Sequence, residues 1–289
     1  MKRNIFDKVV DRIDLYRERI YNSSRIDRKS YFLCARTFAA DDDYWLGVAA
    51  HIRRVAEDDS DNFFRDPEVI LHLASENYRL GYELLERIRS HPKGSELLHK
   101  CNMSAWGSPY VFRRYPFAST TTLSHIANLL SLYDFFGGIP TTVLDFGGGY
   151  GGFARSLSQV VPSAVIRIVD IPDMLVVSRL YLEGTSNFGG FEFLDSLDSV
   201  NPGDPGIFNA SFSFSEVPLA RRGSIEEFII SRVSGAHIIF QPLFNGISNI
   251  SYMRHFRERL ESKGWEVEVG NYAWYGSNSV SLLRGRRVK

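Results

Sequence analysis

Residues 143–153 read Val-Leu-Asp-Phe-Gly-Gly-Gly-Tyr-Gly-Gly-Phe, and no other stretch constrains the chain so strongly. A short apolar run ends in Asp145, a glycine-saturated turn follows, and Phe153, Leu157 and Val160 then recur at helical spacing. This is a strand, a tight loop and a helix, the layout with which α/β folds hold a ligand at the carboxyl end of a strand. Glycines tolerate positive φ and carry no Cβ, so backbone N–H groups can approach a ligand closely. The helix that follows directs its positive end toward the same place. Asp145 sits where the strand opens, placed to accept a hydrogen bond from a cationic amine. The glycines satisfy two patterns, Asp145-x-Gly147-x-Gly149-x-Gly151 and the dinucleotide fingerprint Gly147-x-Gly149-x-x-Gly152. The window alone fits both, and the carboxylate leans toward the first, since it would repel a pyrophosphate and attract an ammonium.

A chain of 289 residues, 44% apolar and 24% charged, suits one large globular domain or a domain with an appendage. With 34 basic and 34 acidic residues it lacks the basic footprint of a nucleic-acid binder. Cys34 and Cys101 are too few for a disulfide framework and form no Cys-x-x-Cys zinc pattern. No apolar run reaches the ~20 residues of a membrane span, and the charged start has no signal-peptide core. The expectation is a cytoplasmic protein. The basic cluster at 284–289 reads as a frayed, solvated end.

Residues 1–135 read as a helical region, the expected surface for any homo-oligomer, and 136–289 as the ligand-binding domain. Helices are expected over 11–20 and 44–55. Asp66 followed by Pro67 is a start signal, after which an apolar period runs unbroken from Ile70 to Ile88. Another helix spans 119–136 and stops at Gly137-Gly138. Between them, 101–118 is rich in aromatic residues, either a linker packing its rings inward or a wall over the site. After residue 140 strands and helices alternate, as in a parallel sheet with helices on both faces. Strands are expected over 142–145, 165–170, 191–194, 208–214 and 237–241. The intervening helices cover 174–182, 224–233 (with Ser224 and Glu227 as a capping box) and 251–263. Last come 265–269 and 279–283, joined too closely for a helix and hence antiparallel. A standard dinucleotide domain does not end in such a hairpin.

A linked set of residues resembles the bacterial sugar O-methyltransferases, class I S-adenosylmethionine (SAM) enzymes found with surface-polysaccharide genes. The set is Gly107-x-Pro109, a Ser/Thr-rich helix start at Ser119, the Asp145–Gly152 loop, Val169-Asp170-Ile171-Pro172 with Tyr181-Leu182 a helix later, and Phe214-Ser215-Glu216-Val217-Pro218. The resemblance covers roughly residues 100–285. It implies an α/β, Rossmann-like seven-stranded sheet with an antiparallel C-terminal hairpin, SAM as cofactor, and a sugar hydroxyl on a small-molecule or glycan acceptor. It places the cofactor against Asp145, Phe146, Gly147, Gly148, Gly149, Tyr150 and Gly151. Asp170 would take the ribose hydroxyls, Ile171 the adenine face, Leu194 and Asp195 the adenine amino group (with Asp198 as alternative), and Phe214 the methyl region.

An acceptor hydroxyl needs a group to take its proton. His125 is the first choice, on the polar side of the Leu123/Ile126/Leu130 stripe, with Glu216 gripping the hydroxyl. His237 reads as structural and His255 as solvated. Asp41-Asp42-Asp43 precedes a helix, where acidic residues are expected anyway, so no metal is expected. The rival readings are an NAD(P)-dependent sugar oxidoreductase, a small natural-product O-methyltransferase and a SAM-binding scaffold without turnover.

Overall fold

The computed structural model describes residues 42–288, apart from 75–76, 113–114, 202–205, 245 and 276–279. The helix expected at 11–20 and Cys34 lie outside the described residues, as does Asp41. A seven-stranded sheet runs in the spatial order β3-β2-β1-β4-β5-β9-β8. Its strands are β1 (Thr142–Phe146), β2 (Val165–Val169), β3 (Phe191–Leu194), β4 (Ile207–Ser211), β5 (Gly235–Phe240), β8 (Trp265–Asn271) and β9 (Ser281–Arg287). The first five are parallel, while β9 runs antiparallel to both β5 and β8. The expected hairpin is therefore present, with its second strand inside the sheet. A small extra hairpin, β6 (Leu243–Phe244) with β7 (Ile247–Ser248), was not foreseen.

The helices are α1 (Asp42–Asp58), α2 (Pro67–His72), α3 (Tyr78–Ser90), α4 (Gly94–Lys100), α5 (Thr120–Phe136), α6 (Gly152–Val160), α7 (Pro172–Thr185), α8 (Ser213–Glu216), α9 (Leu219–Arg232) and α10 (Asn249–Ser262). Asp66 caps α2 as its sequence promised, accepting from the backbone N–H groups of Glu68 and Val69. The period from Ile70 to Ile88 is not one helix, however. It breaks after His72, and Asn77 caps a new helix by accepting from Leu80 N–H. Ser119 caps α5 and Gly137, at φ 73°, ends it in the left-handed conformation. Ser224 is no cap: it lies inside α9 and its hydroxyl donates to the Arg221 carbonyl. The basic end is not frayed either, because Arg284 and Arg286 of β9 pair across the hairpin with Glu268 and Glu266.

Side chains alternate across each strand. Val143, Ile166, Ile168 and Ile207 join one core with Ile52, Phe63, Leu84, Leu123, Ile126 and Leu130, so the helical region and one face of the sheet share it. Leu144, Phe208, Ala210 and Ile238 face the other way and pack with Phe214, Phe228, Met253 and Phe256. Much of the aromatic stretch 101–118 turns inward: Trp106 packs on Phe63 and Tyr181, and Phe112 is buried against Tyr78 and Tyr82.

Candidate functional site

In an open parallel sheet the strand order reverses where two neighbouring strands send their connections to opposite sides, and ligands bind in the crevice beyond that point. Here it falls between β1 and β4. The glycine loop lies there, with Gly147, Gly149 and Gly151 at φ 66°, 59° and 88°. A Cβ on Gly147 would stand 2.2 Å from that of Ser213, so this position has neither the conformation nor the room for a side chain. Gly147 N–H donates to the Val169 carbonyl at 2.7 Å, tying the loop to the end of β2. Gly149 N–H donates to Asp170 Oδ2 at 2.9 Å, and Ile171 N–H to Asp170 Oδ1 at 2.8 Å. Each carboxylate oxygen keeps a lone pair beyond those bonds.

Asp145 lies directly beneath the loop, only 3% exposed. Asn209 Nδ2 donates to its Oδ1 at 2.8 Å, while Oδ2 is buried with no partner among the described residues. Burial pushes the Asp145 carboxyl up to about 7, against the pull of the Asn209 bond and with a further push from Asp170. Burial likewise carries Asp170 up to about 6 despite its two backbone donors. A carboxylate oxygen left bare in a protein interior costs free energy until a donor arrives. An ammonium is the donor that also matches its charge.

Several expected site residues sit elsewhere. The Tyr150 ring turns away from the strand ends into the shared core, against Phe64 at 5.0 Å and Tyr181 at 4.9 Å. Only its backbone belongs to the loop. Phe214 has no exposed surface and packs on Phe208 and Phe256, so its ring serves the second core and not a ligand. The cause is local: β4 stops at Ser211, Phe212 takes a φ of 74°, and α8 begins at Ser213. Phe146 also faces that core, stacked on Phe208 at 5.4 Å. Leu194 and exposed Asp195 border a groove of about 450 Å³ between β3 and α7, whose wall includes Arg179 and Glu183.

His125 does not lie on a polar helix face. α5 is buried on most sides, and the imidazole is wedged behind the glycine loop between Tyr150 and Phe153. Its Nε2 is 3.4 Å from the Tyr150 hydroxyl, and a Cβ on Gly152 would meet Nε2 at 2.6 Å. Burial alone pushes it down to about 4. Glu216 ends α8 just past β4, where Gln241 Nε2 donates to its Oε1 at 3.1 Å and burial holds the carboxyl up at about 7. The sequence did not single out what faces it. Tyr44 of α1 feels the charges of Glu216 and Glu68, and its hydroxyl is 3.3 Å from His72 Nε2. Trp45 packs edge-on against His72 at 5.3 Å, and Glu68 stands 3.4 Å from His72 Nε2. Leu73, next along the chain, reaches to 3.3 Å from the place of a Gly149 Cβ. The end of α2 thus roofs the glycine loop, and Glu216 and the Tyr44–His72–Glu68 group lie near the same crevice.

Among the described residues no helix is long and apolar enough to cross a membrane, and no three His, Cys, Asp or Glu side chains cluster as metal ligands. No family model matches the chain, and no curated protein matches it in sequence. Several solved structures are similar to it. They include a mitomycin 7-O-methyltransferase (16% identity, TM-score 0.46, covering 84% of this chain and 67% of that one). Human N-acetylserotonin methyltransferase in complex with SAM is similar at 13% identity and TM-score 0.43, with the same coverage. A plantazolicin methyltransferase in complex with S-adenosylhomocysteine is similar at 11% identity and TM-score 0.48, over 73% of this chain and 98% of that one. The strand order and the inserted antiparallel strand are those of the class I methyltransferase fold.

Proposed function

We propose that the chain is a SAM-dependent O-methyltransferase. The observation that carries this reading is the bare, buried Oδ2 of Asp145 beneath a positive-φ glycine loop at the reversal point of the sheet. The residues present fit SAM: Asp145 for the amine, the loop backbone for the methionine portion, and Asp170 for the ribose hydroxyls. When bound, SAM supplies a sulfonium-activated methyl group. The remaining demand is on the acceptor hydroxyl, which must be aligned and relieved of its proton. Glu216 takes that proton. With its carboxyl held near 7, it gains or loses a proton at little cost at neutral pH. In this reading Tyr44, Trp45 and His72, which pack on one another at the α1 and α2 roof, lie on the acceptor side.

A sugar or sugar-bearing acceptor is the substrate class we favour. Its support is the resemblance carried by the 145–152 loop and by Val169-Asp170-Ile171-Pro172, together with the Tyr44 ring, which stands within electrostatic reach of both Glu216 and Glu68. Calorimetry with SAM, S-adenosylhomocysteine, NAD and NADP tests the cofactor. The two adenosyl ligands should bind and the two nicotinamide dinucleotides should not; the reverse result sinks the proposal.

A further inference from the structure

Behind Asp145 the sheet carries an unbroken row of polar side chains. Asp145 of β1 is in register with Asn209 of β4, Asn209 with His237 of β5, and His237 with Arg284 of β9. Strand alternation puts all four on the face that α5 covers. Asn209 Nδ2 donates to Asp145 Oδ1 at 2.8 Å, Asn209 Oδ1 lies 3.1 Å from His237 Nδ1, and His237 Nε2 lies 3.0 Å from Ser131 Oγ of α5. Asn209 and His237 have no exposed surface and Ser131 has 1%.

The order of donors in this row is fixed by chemistry. An ionised Asp145 only accepts, so the Asn209 nitrogen must face it and the Asn209 oxygen must face His237. His237 therefore carries its hydrogen on Nδ1, and Nε2 accepts from the Ser131 hydroxyl. A neutral imidazole can do this and an imidazolium cannot, since it has no acceptor. Burial, aided by the nearby Arg284 charge, pushes His237 down to about 3, so it stays neutral.

Resting on the reading of this site as a SAM site, we propose that His237 is a positioning residue for the ligand ammonium. Through Asn209 it saturates Oδ1 of Asp145, which leaves Oδ2 as the oxygen that meets the amine. Without the His237 N–H, the Asn209 amide is free to turn its oxygen toward Asp145. Two acceptors then face one another, Asp145 keeps its proton to higher pH, and the ammonium loses its partner. The other charged or titratable groups bearing on the row are Asp170 at the end of β2, Arg284 on β9 and Tyr272, whose hydroxyl donates to Asn128 of α5.

The test compares S-adenosylhomocysteine with 5′-methylthioadenosine, which has the same adenosyl group but no amino-acid portion and hence no ammonium. Both are titrated calorimetrically into wild type, His237→Leu and His237→Gln between pH 6 and 9. His237→Leu should weaken S-adenosylhomocysteine by ~10-fold or more, the scale of a charge-assisted bond. Its binding should recover toward higher pH, with 5′-methylthioadenosine unaffected. His237→Gln, which retains a donor, should restore most of the loss. If His237→Leu does not fold, Asn209→Ala cuts the same link and should give the same selective loss. Equal weakening of both ligands, or no weakening, overturns the assignment. Failure of wild type to bind S-adenosylhomocysteine overturns the site reading along with it.

Discussion

Asn209 occupies one oxygen of Asp145 at 2.8 Å, and nothing among the described residues occupies the other. A bare buried oxygen costs the free protein and, in our reading, serves a ligand. Asp145 has its carboxyl raised from 3.8 to about 7 in the folded state. A raised carboxyl favours folding most below its unfolded value, and that contribution is lost as pH climbs from about 4 through 7. The displacement corresponds to at most about 4 kcal/mol. Asp145→Asn should therefore melt higher than wild type at pH 8, with the difference shrinking toward pH 4. The same variant should lose S-adenosylhomocysteine. A lower melting temperature at pH 8 contradicts the assignment.

Asp170→Ala removes a carboxylate that holds Gly149 N–H and Ile171 N–H and, in our reading, two ribose hydroxyls. The expected loss of S-adenosylhomocysteine affinity is about 2–3 kcal/mol. Calorimetry on a variant shown by circular dichroism to be folded checks it. Unchanged affinity would move the ribose elsewhere.

Glu216, held near 7 by burial, should impose a rise in methyl-transfer rate with pH through that region, as the carboxylate replaces the acid. Glu216→Gln should lower kcat by ~10²-fold or more and flatten the profile, with S-adenosylhomocysteine affinity retained. His125→Ala should keep the profile and most of the turnover while lowering the melting temperature, since His125 packs behind the loop. Rate against pH on a turned-over acceptor distinguishes them. A steep loss in His125→Ala with a normal Glu216→Gln would restore the sequence-based assignment.

Two glycines make a control pair for stability. Gly147→Ala forces a side chain into a position at φ 66° and against Ser213, and should cost about 1–3 kcal/mol. Gly223→Ala lies exposed within α9 with nothing within 4 Å of the new methyl, and should add about 0.5–1 kcal/mol. Chemical denaturation of both variants gives the two signs directly.

The local chemistry of the chain announced the loop, the strands around it and the terminal hairpin, because glycine spacing and apolar runs act at short range. The break between α2 and α3 was hidden because the apolar positions keep helical spacing on both sides of it. The environment of α5 was hidden for a different reason. Ser124, Asn128 and Ser131 look like a solvated face, yet all three are buried, Asn128 bonding to Ser211 and Ser131 to His237. A polar stripe facing a polar row of a sheet has the same sequence pattern as one facing water. Nothing near Tyr44 or His72 in sequence marks them either. Their place over the crevice depends on α1 and α2 folding back across the strand ends.

The position of β9 has a consequence for how the molecule is made. The last of the seven strands in chain order is inserted between β5 and β8. Until it emerges, β5 has an open edge and β8 has nothing to pair with, so the sheet cannot be completed in the order of synthesis. Arg284, which ends the polar row beside His237, arrives with it. A chain that has not yet supplied β9 therefore has the glycine loop while the polar row behind Asp145 still lies open at its β5 end.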